Sequence, residues 1–431
     1  MYLYIFILYL ASLFNKKAKL LVRGQRGTVR ELKDPTRPPL KGEVTTSHRV
    51  NDLTGSSQGE ELDGCIWFHA ASVGEFEQAR PIIERLRREQ PNRRILLTFF
   101  SPSGYELRKD YDKVDYVCYL PFATRRNARL FLDILKPSMA IFVKYEFWPA
   151  YLRELKRRDI PTYNIATIFR EDQPFFRWWG APYRRLLGCF TTLFVQDERS
   201  RALLEQYGYE NAVVAGDTRF DRVVEILRDQ REIPQLMRFT EPEISPVRFD
   251  AAPPKVIVAG STWPKDEELL ARYMSEHPEL KLVLTPHEIG PEHLHYIFNL
   301  FRGRLVRFSE ATLMNVNTNN VLLIDRMGML SRIYRFGTVA YIGGGFGAGI
   351  HNTLEAAVYD KPVLFGPRYH KFREAEDLIE AGGAFAVRDY VTFAAAMDEA
   401  LAHAEEYGRR AGDYVRAEVG ATDKIYQALF L

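Results

Sequence analysis

The feature that most constrains this chain is a succession of short, almost unbroken apolar runs of strand length, separated by helical patterns. In the first half they read CIWFHA, RILLTFF, VDYVCYL, SMAIFVKY, IPTYNIAT, TTLFVQD and NAVVAG, with PIIERLRREQ, NARLFLDILK and PAYLRELKRR among the intervening helical patterns. A strand with one wet face alternates apolar and polar residues. Runs without that alternation are buried on both faces, which is the signature of a parallel sheet covered by helices. The pattern breaks at EPEISPVRFDAAPPK, where Pro242, Pro246, Pro253 and Pro254 crowd a short span that reads as a hinge. It then restarts with KVIVAGS, LKLVLTP, NNVLLID, TVAYIGGG, KPVLFGP and AFAVRD, and the chain from about Phe393 reads as helix. The expected architecture is α/β, with two doubly wound domains facing each other and ligands in the cleft at the C-terminal ends of their strands. The expected boundaries are 23–240 for the first domain, 241–254 for the linker and 255–431 for the second domain with its C-terminal helix. Residues 24–64, rich in Pro, Gly, Ser and charge, read as an extended segment.

The totals exclude several classes. A net charge of +3 over 431 residues is too small to argue for nucleic acid. Cys65, Cys118 and Cys189 lie far apart, which fits a reducing compartment and no zinc site. His293 and His295 are too close for a helical ligand pair and HExxH is absent, so no metal is expected. The N-terminus is different. MYLYIFILYLASLF is uncharged, and Lys16, Lys17, Lys19, Arg23 and Arg26 follow. As a helix the run reaches about 21 Å, short of a ~30 Å hydrocarbon core. It either continues through Leu20, Leu21 and Val22 with snorkelling lysines or lies in the interface. Residues 1–22 are therefore expected to attach the chain to a membrane, with the basic side cytoplasmic.

In the second half, VAYIGGGFGAGIHNTLEAAVYDKPVLFG runs from a strand through glycines into a helix starting near Asn352 or Thr353. Glycines admit close approach of a ligand, and a helix start attracts anions. Residues 343–348 match GxGxxA, but the acid that a dinucleotide site places about 20 positions on is missing at Val363, Leu364 and Phe365. A phosphate or nucleotide is expected here rather than a redox dinucleotide. Glu355 either accepts ribose hydroxyls or compensates the helix start, and Asn352 either meets phosphate or caps.

Seven motifs in order, HAASVGE, KYEFWP, GDTRFD, STWPKDEE, TPHE, RMG and GGGFGAGIHNTLEAA, resemble the 3-deoxy-D-manno-octulosonic acid (Kdo) transferases. These are glycosyltransferases of the GT-B fold that build the inner core of lipopolysaccharide. The resemblance spans nearly the whole chain. It implies transfer of Kdo from CMP-Kdo to a glucosamine hydroxyl of a lipid A precursor (lipid IVA) at the inner membrane, with the domains on the cytoplasmic side and no cofactor beyond the donor substrate. The acceptor is expected on the first domain and the nucleotide on the second. An alternative is another GT-B glycosyltransferase, or a nucleotide-sugar epimerase, using a UDP-sugar.

Ser72 and Glu75 form an S-x-x-E capping box by pattern, with Glu75 reaching back to the Ser72 N–H. The resemblance assigns Glu75 instead as the general base. A helix start lowers a carboxyl pKa and weakens a base, whereas desolvation raises it. The resemblance also implies Glu146 and Arg219 as residues that stabilise the transition state. Their alternatives are ion pairing of Glu146 with Lys144 or Arg153, and of Arg219 with Asp217 or Asp221 on a solvated loop. Relatives often carry Lys at position 219. For the nucleotide it implies Pro286 and His287, Met327, Gly328 and Met329, and Asn352, Thr353, Leu354 and Glu355. Met329 departs from the Glu common there. Arg368 is a further candidate. Ser261 or Thr262 is expected either to cap the helix of STWPKDEE or, for Ser261, to touch the donor.

Overall fold

The computed structural model describes residues 2–33, 64–228, 231–241 and 253–431. The chain divides into two compact units, Met1–Arg222 with Val419–Leu431, and Val223–Glu418.

The first unit opens with α1 (Tyr2–Ala11) and α2 (Lys16–Lys33). A seven-stranded, wholly parallel sheet follows: β1 (Ile66–Ala70), β2 (Ile95–Phe99), β3 (Tyr116–Tyr119), β4 (Met139–Val143), β5 (Thr162–Thr167), β6 (Thr192–Val195) and β7 (Ala212–Val214). Its order is β3-β2-β1-β4-β5-β6-β7. The winding therefore reverses between β1 and β4, and a doubly wound sheet places its ligand at the C-terminal ends of those strands. Connecting helices are α3 (Val73–Glu89), α4 (Pro102–Arg108), α5 (Arg125–Leu135), α6 (Pro149–Arg157), α7 (Ala181–Leu187), α8 (Glu198–Gln206) and α9 (Thr218–Ile226). Several carry the expected start signals: Ser101 accepts from Gly104 N–H, Thr124 from Asn127 N–H and Asp197 from Ser200 N–H. β1, β2 and β3 are buried along their whole length, as their unbroken apolarity requires. Trp67 on β1 is fully buried against Phe131, Phe142 and Tyr151.

The second unit repeats the plan. After α10 (Pro234–Thr240) come β8 (Val256–Thr262), α11 (Pro264–Glu276), β9 (Lys281–Pro286), α12 (Pro291–Leu300), β10 (Leu305–Arg307), β11 (Val321–Leu323), α13 (Leu330–Ile333), β12 (Val339–Ile342), α14 (Leu354–Ala357), β13 (Val363–Phe365), α15 (Arg373–Glu380) and β14 (Ala384–Ala386). α16 (Tyr390–Ala402), α17 (Ala404–Ala417) and α18 (Ala421–Phe430) end the chain. The sheet order is β10-β11-β9-β8-β12-β13-β14, again parallel throughout, with its reversal between β8 and β12.

Four expectations are corrected. Residues 24–33 are helical, not extended. Gly24 marks close packing rather than freedom, because a Cβ there would sit 2.2 Å from the Tyr119 ring, and Leu21, Val22 and Leu32 are buried. Residues 34–63 lie outside the described residues, as does most of the expected hinge, 242–252. The apolar run does not continue as one helix to Val22. Asn15 restarts the chain by accepting from Lys17 and Ala18 N–H, and Arg26 on α2 bonds back to the Tyr9 hydroxyl at 2.8 Å. Among the described residues no helix is long and apolar enough to cross a membrane. The unit boundary falls after Arg222 rather than 240, and Val419–Leu431 joins the first unit rather than the second. Asp221 causes that return. Its carboxylate accepts from Gly420 N–H, Thr422 N–H and the Thr422 hydroxyl at 2.8–2.9 Å, capping α18. Finally, α14 is a single turn, so the helix-dipole attraction expected after the glycine loop is slight.

Candidate active site

In the first unit, Glu75 and Glu146 follow the two strands that flank the reversal, β1 and β4. The capping box does not form as its pattern suggests. The Ser72 side chain makes no capping bond, and the Glu75 carboxylate reaches past Ser72 to accept from the Ala71 N–H. Burial pushes the Glu75 carboxyl up, and the Glu146 carboxylate pushes it further, while the Ala71 N–H, His69 and Lys144 pull it down. The opposition between helix start and desolvation is thus resolved towards a stronger base.

The Glu146 carboxylate is met by two ring nitrogens. Its Oε2 lies 3.1 Å from His69 Nε2 and 2.6 Å from Trp148 Nε1. His69 links this carboxylate to the neighbouring strand. Its Nδ1 faces the Thr98 hydroxyl at 2.8 Å and the Thr98 carbonyl at 3.2 Å, and Trp67 Nε1–H donates to the same hydroxyl at 2.8 Å. Its Nε2 faces Glu146, with Trp148 Nε1 3.0 Å away. His69 is fully buried on β1, so this relay sets where the Glu146 carboxylate points. The sequence does not single out His69 and Thr98, and it reads Trp148 as packing around Glu146. The signal is a polar residue near the end of an otherwise apolar strand.

Lys144 was noted only as a possible partner, yet its backbone is held at φ +53. Its carbonyl accepts from the Asn164 amide and the Thr167 hydroxyl, both at 2.8 Å. A non-glycine residue held there marks a position that the surroundings over-determine. Lys144 lowers the pKa of both Glu75 and Asp217, so its cation acts on both carboxyls.

Arg219, at the start of α9, forks onto Asp217 Oδ2 through Nε at 2.9 Å and Nη2 at 2.7 Å. The setting of this pair is a buried carboxylate rather than a solvated loop. Burial alone would raise Asp217, but Arg219 and Lys144 hold it below the usual carboxylate range. The planar fork suits this pairing in a way that a lysine does not.

The second unit presents its predicted residues at the ends of β8, β9 and β12. Pro286 is buried, while His287 is exposed and stacked between Trp263 (4.9 Å) and His351 (4.4 Å). Burial, then His287, pushes His351 down to about 4, so its ring is neutral at ordinary pH. The glycines pack backbone on backbone. A Cβ on Gly343 would lie 2.3 Å from the Ser261 carbonyl, and one on Gly345 2.6 Å from Gly366 Cα. Ser261 and Thr262 do not cap α11. Ser261 sits at φ +53, Trp263 is the cap residue, and Asp266 accepts from Trp263 N–H, Gly344 N–H and the Tyr341 hydroxyl. Burial raises Asp266 despite those three donors. Asp266, unnoticed in the sequence, therefore ties the helix start to the glycine loop.

Asn352 accepts from Leu354 N–H at 3.2 Å and donates to Glu355 at 3.2 Å. Thr353 is buried, with no partner for its hydroxyl among the described residues, and Leu354 is fully buried. Met327 is exposed, Gly328 turns at φ +80 and Met329 is the cap residue just before α13. Leu330 and Tyr334, just beyond, pack against Gly260 at the end of β8, and Glu355 acts electrostatically on Tyr334. This brings the three predicted groups to one end of the sheet. Arg368 bonds the Gly347 carbonyl through its guanidinium and the Gly345 carbonyl through its N–H. Among the described residues no cluster of His, Cys, Asp and Glu is arranged to hold a metal ion.

Comparison with known proteins agrees with this geometry. A family model described as "3-Deoxy-D-manno-octulosonic-acid transferase (kdotransferase)" matches residues 45–222. A 3-deoxy-D-manno-octulosonic acid transferase of Aquifex aeolicus is 27% identical over 80% of this chain and 88% of its own length. That of Haemophilus influenzae is 26% identical over 81% of each. Among solved structures, a UDP-GlcNAc 2-epimerase from Neisseria meningitidis superposes with TM-score 0.58 at 17% identity, covering 84% of this chain and 99% of that one. Acinetobacter baumannii MurG does so at 0.51 and 10%, covering 85% and 99%. These two likenesses speak for the fold alone, which is GT-B. Sequence kinship and fold together make this chain a glycosyltransferase of the GT-B fold, similar over most of its length to the 3-deoxy-D-manno-octulosonic acid (Kdo) transferases.

Proposed function

We propose that the chain transfers Kdo from CMP-Kdo onto a hydroxyl of a lipid A precursor, with Glu75 as general base. The observation that carries this reading is the Glu75 carboxyl at the β1 end of the sheet reversal, raised by burial and by Glu146. A carboxylate raised above its usual range removes the acceptor proton as the oxygen attacks the anomeric carbon of Kdo and the bond to the CMP phosphate breaks. The proton passes to Glu75, and CMP leaves as the anion. Expected oxocarbenium character at the donor carbon lowers the demand for a strong nucleophile. Glu146, oriented by His69 and Trp148, supplies negative charge for that carbon. Lys144 and the Asp217–Arg219 pair supply positive charge for the Kdo carboxylate or the phosphate.

On the second unit, the backbone groups around Gly343–Gly345 and the Asn352–Glu355 turn are suited to phosphate and ribose, and the His287 face to a planar base. A lipid acceptor also accounts for the apolar N-terminus, which we propose rests at the inner membrane with both units in the cytoplasm. The UDP-sugar alternative is supported by shared fold only. Incubation with CMP-Kdo and lipid IVA, with products weighed by mass spectrometry, tests the reading. A mass increase by Kdo supports it, whereas turnover of a UDP-sugar but not CMP-Kdo overturns it.

A further inference from the structure

We infer that the loop between β5 and α7, residues 170–185, is a platform that seats the first unit on an anionic lipid surface. Trp178 is 93% exposed, Trp179 46% and Tyr183 47%. Such rings are rarely left in water, and these are held there by a built scaffold. Phe175 and Phe176 are buried, packing on Phe169, and Phe176 also meets Tyr207. The Arg184 guanidinium donates to the Phe175 carbonyl at 2.7 Å and the Arg177 carbonyl at 3.3 Å. Gly180 closes the turn with its N–H on the Arg177 carbonyl at 2.8 Å, and a Cβ there would lie 2.2 Å from the Pro174 carbonyl. Trp179 meets Tyr183 edge-on at 5.9 Å.

The charge of the loop selects the partner. Arg170, Arg177 and Arg185 are exposed and Arg184 lies among them, against Glu171 and Asp172. Indole and phenol rings with guanidinium groups match the boundary between lipid head groups and acyl chains, and the excess of arginine favours anionic lipid. The position is also telling. Phe175 packs edge-on against Phe147 at 4.9 Å, and Phe147 sits between Glu146 and Trp148. The platform thus rests on the segment that carries a proposed catalytic carboxylate. Its relevance to turnover depends on the lipid-acceptor reading above, whereas its lipid binding does not.

The test uses the full chain and sedimentation with vesicles of phosphatidylethanolamine and phosphatidylglycerol, set against vesicles of phosphatidylcholine. Trp178→Ser combined with Trp179→Ser should lower the fraction bound to the anionic vesicles about tenfold in apparent affinity, with thermal stability unchanged because both side chains are exposed. Arg177→Ser combined with Arg185→Ser should reduce the preference for anionic over zwitterionic vesicles. Wild-type binding that survives both double variants, including binding carried by α1 alone, overturns the proposal, as does the absence of wild-type binding. Loss of vesicle binding in these variants, alongside a wild type that binds vesicles but does not transfer Kdo, would sink the functional reading and leave this one standing.

Discussion

Replacing Glu75 by Gln separates a base from a cap, because the two roles predict opposite changes in stability. The amide oxygen of Gln still accepts from the Ala71 N–H, so the structural bond weakens from charge-assisted to neutral, a loss of about 1 kcal/mol. Against that stands the burial of an ionised group beside Glu146. The folded-state pKa of Glu75 lies above its unfolded value. Its contribution to stability is therefore fully present below the unfolded carboxylate range and lost as pH rises through the raised pKa. At pH 8 the wild type bears this penalty and the Gln variant does not. The variant should match or exceed the wild type in denaturant melts at pH 8, with the difference shrinking towards pH 4. Transfer should fall by roughly 10²–10⁴ in kcat, or about 3–5 kcal/mol of barrier, the usual worth of a positioned base. Donor binding should persist. A variant less stable at pH 8 by well over 1 kcal/mol, or one that keeps turnover within tenfold of wild type, would refute the reasoning and return Glu75 to capping.

Glu146→Gln should shift the acid limb of the kcat/KM profile to lower pH, because Glu146 raises Glu75. An unmoved limb would mean that the two carboxylates do not communicate. Asp221→Ala should destabilise the first unit by about 2–4 kcal/mol, from one helix cap and further backbone bonds, read as a lower urea midpoint. An unchanged midpoint would show that α18 is held by its packing alone. Gly343→Ala forces a methyl into the Ser261–Thr262 backbone and should lower the melting temperature and weaken CMP binding together, because no flexible side chain can give way. Retained binding measured by calorimetry would count against the glycine loop as the donor seat.

What the sequence alone determined was the class of fold and most of its strands. Unbroken apolar runs leave a strand no wet face, and only a covered parallel sheet satisfies them. The same reasoning placed Glu75, Glu146 and His287 at strand ends, where doubly wound sheets keep their chemistry. Local patterns failed where a contact distant in sequence decided the outcome. Gly24 read as looseness because nothing nearby in sequence announces the Tyr119 ring beneath it. The last helix read as part of the second domain because Asp221, which recruits it, lies about 200 residues earlier. The capping box was a sound pattern that the folded chain shifted by one residue, to the Ala71 N–H, as burial and Glu146 acted on the same carboxyl. Tertiary structure alone decided the protonation bias of Glu75, the contacts of His69 and the Asp217–Arg219 pairing. Desolvation and Coulomb energies depend on which atoms meet in space, and spacing along the chain carries no record of that.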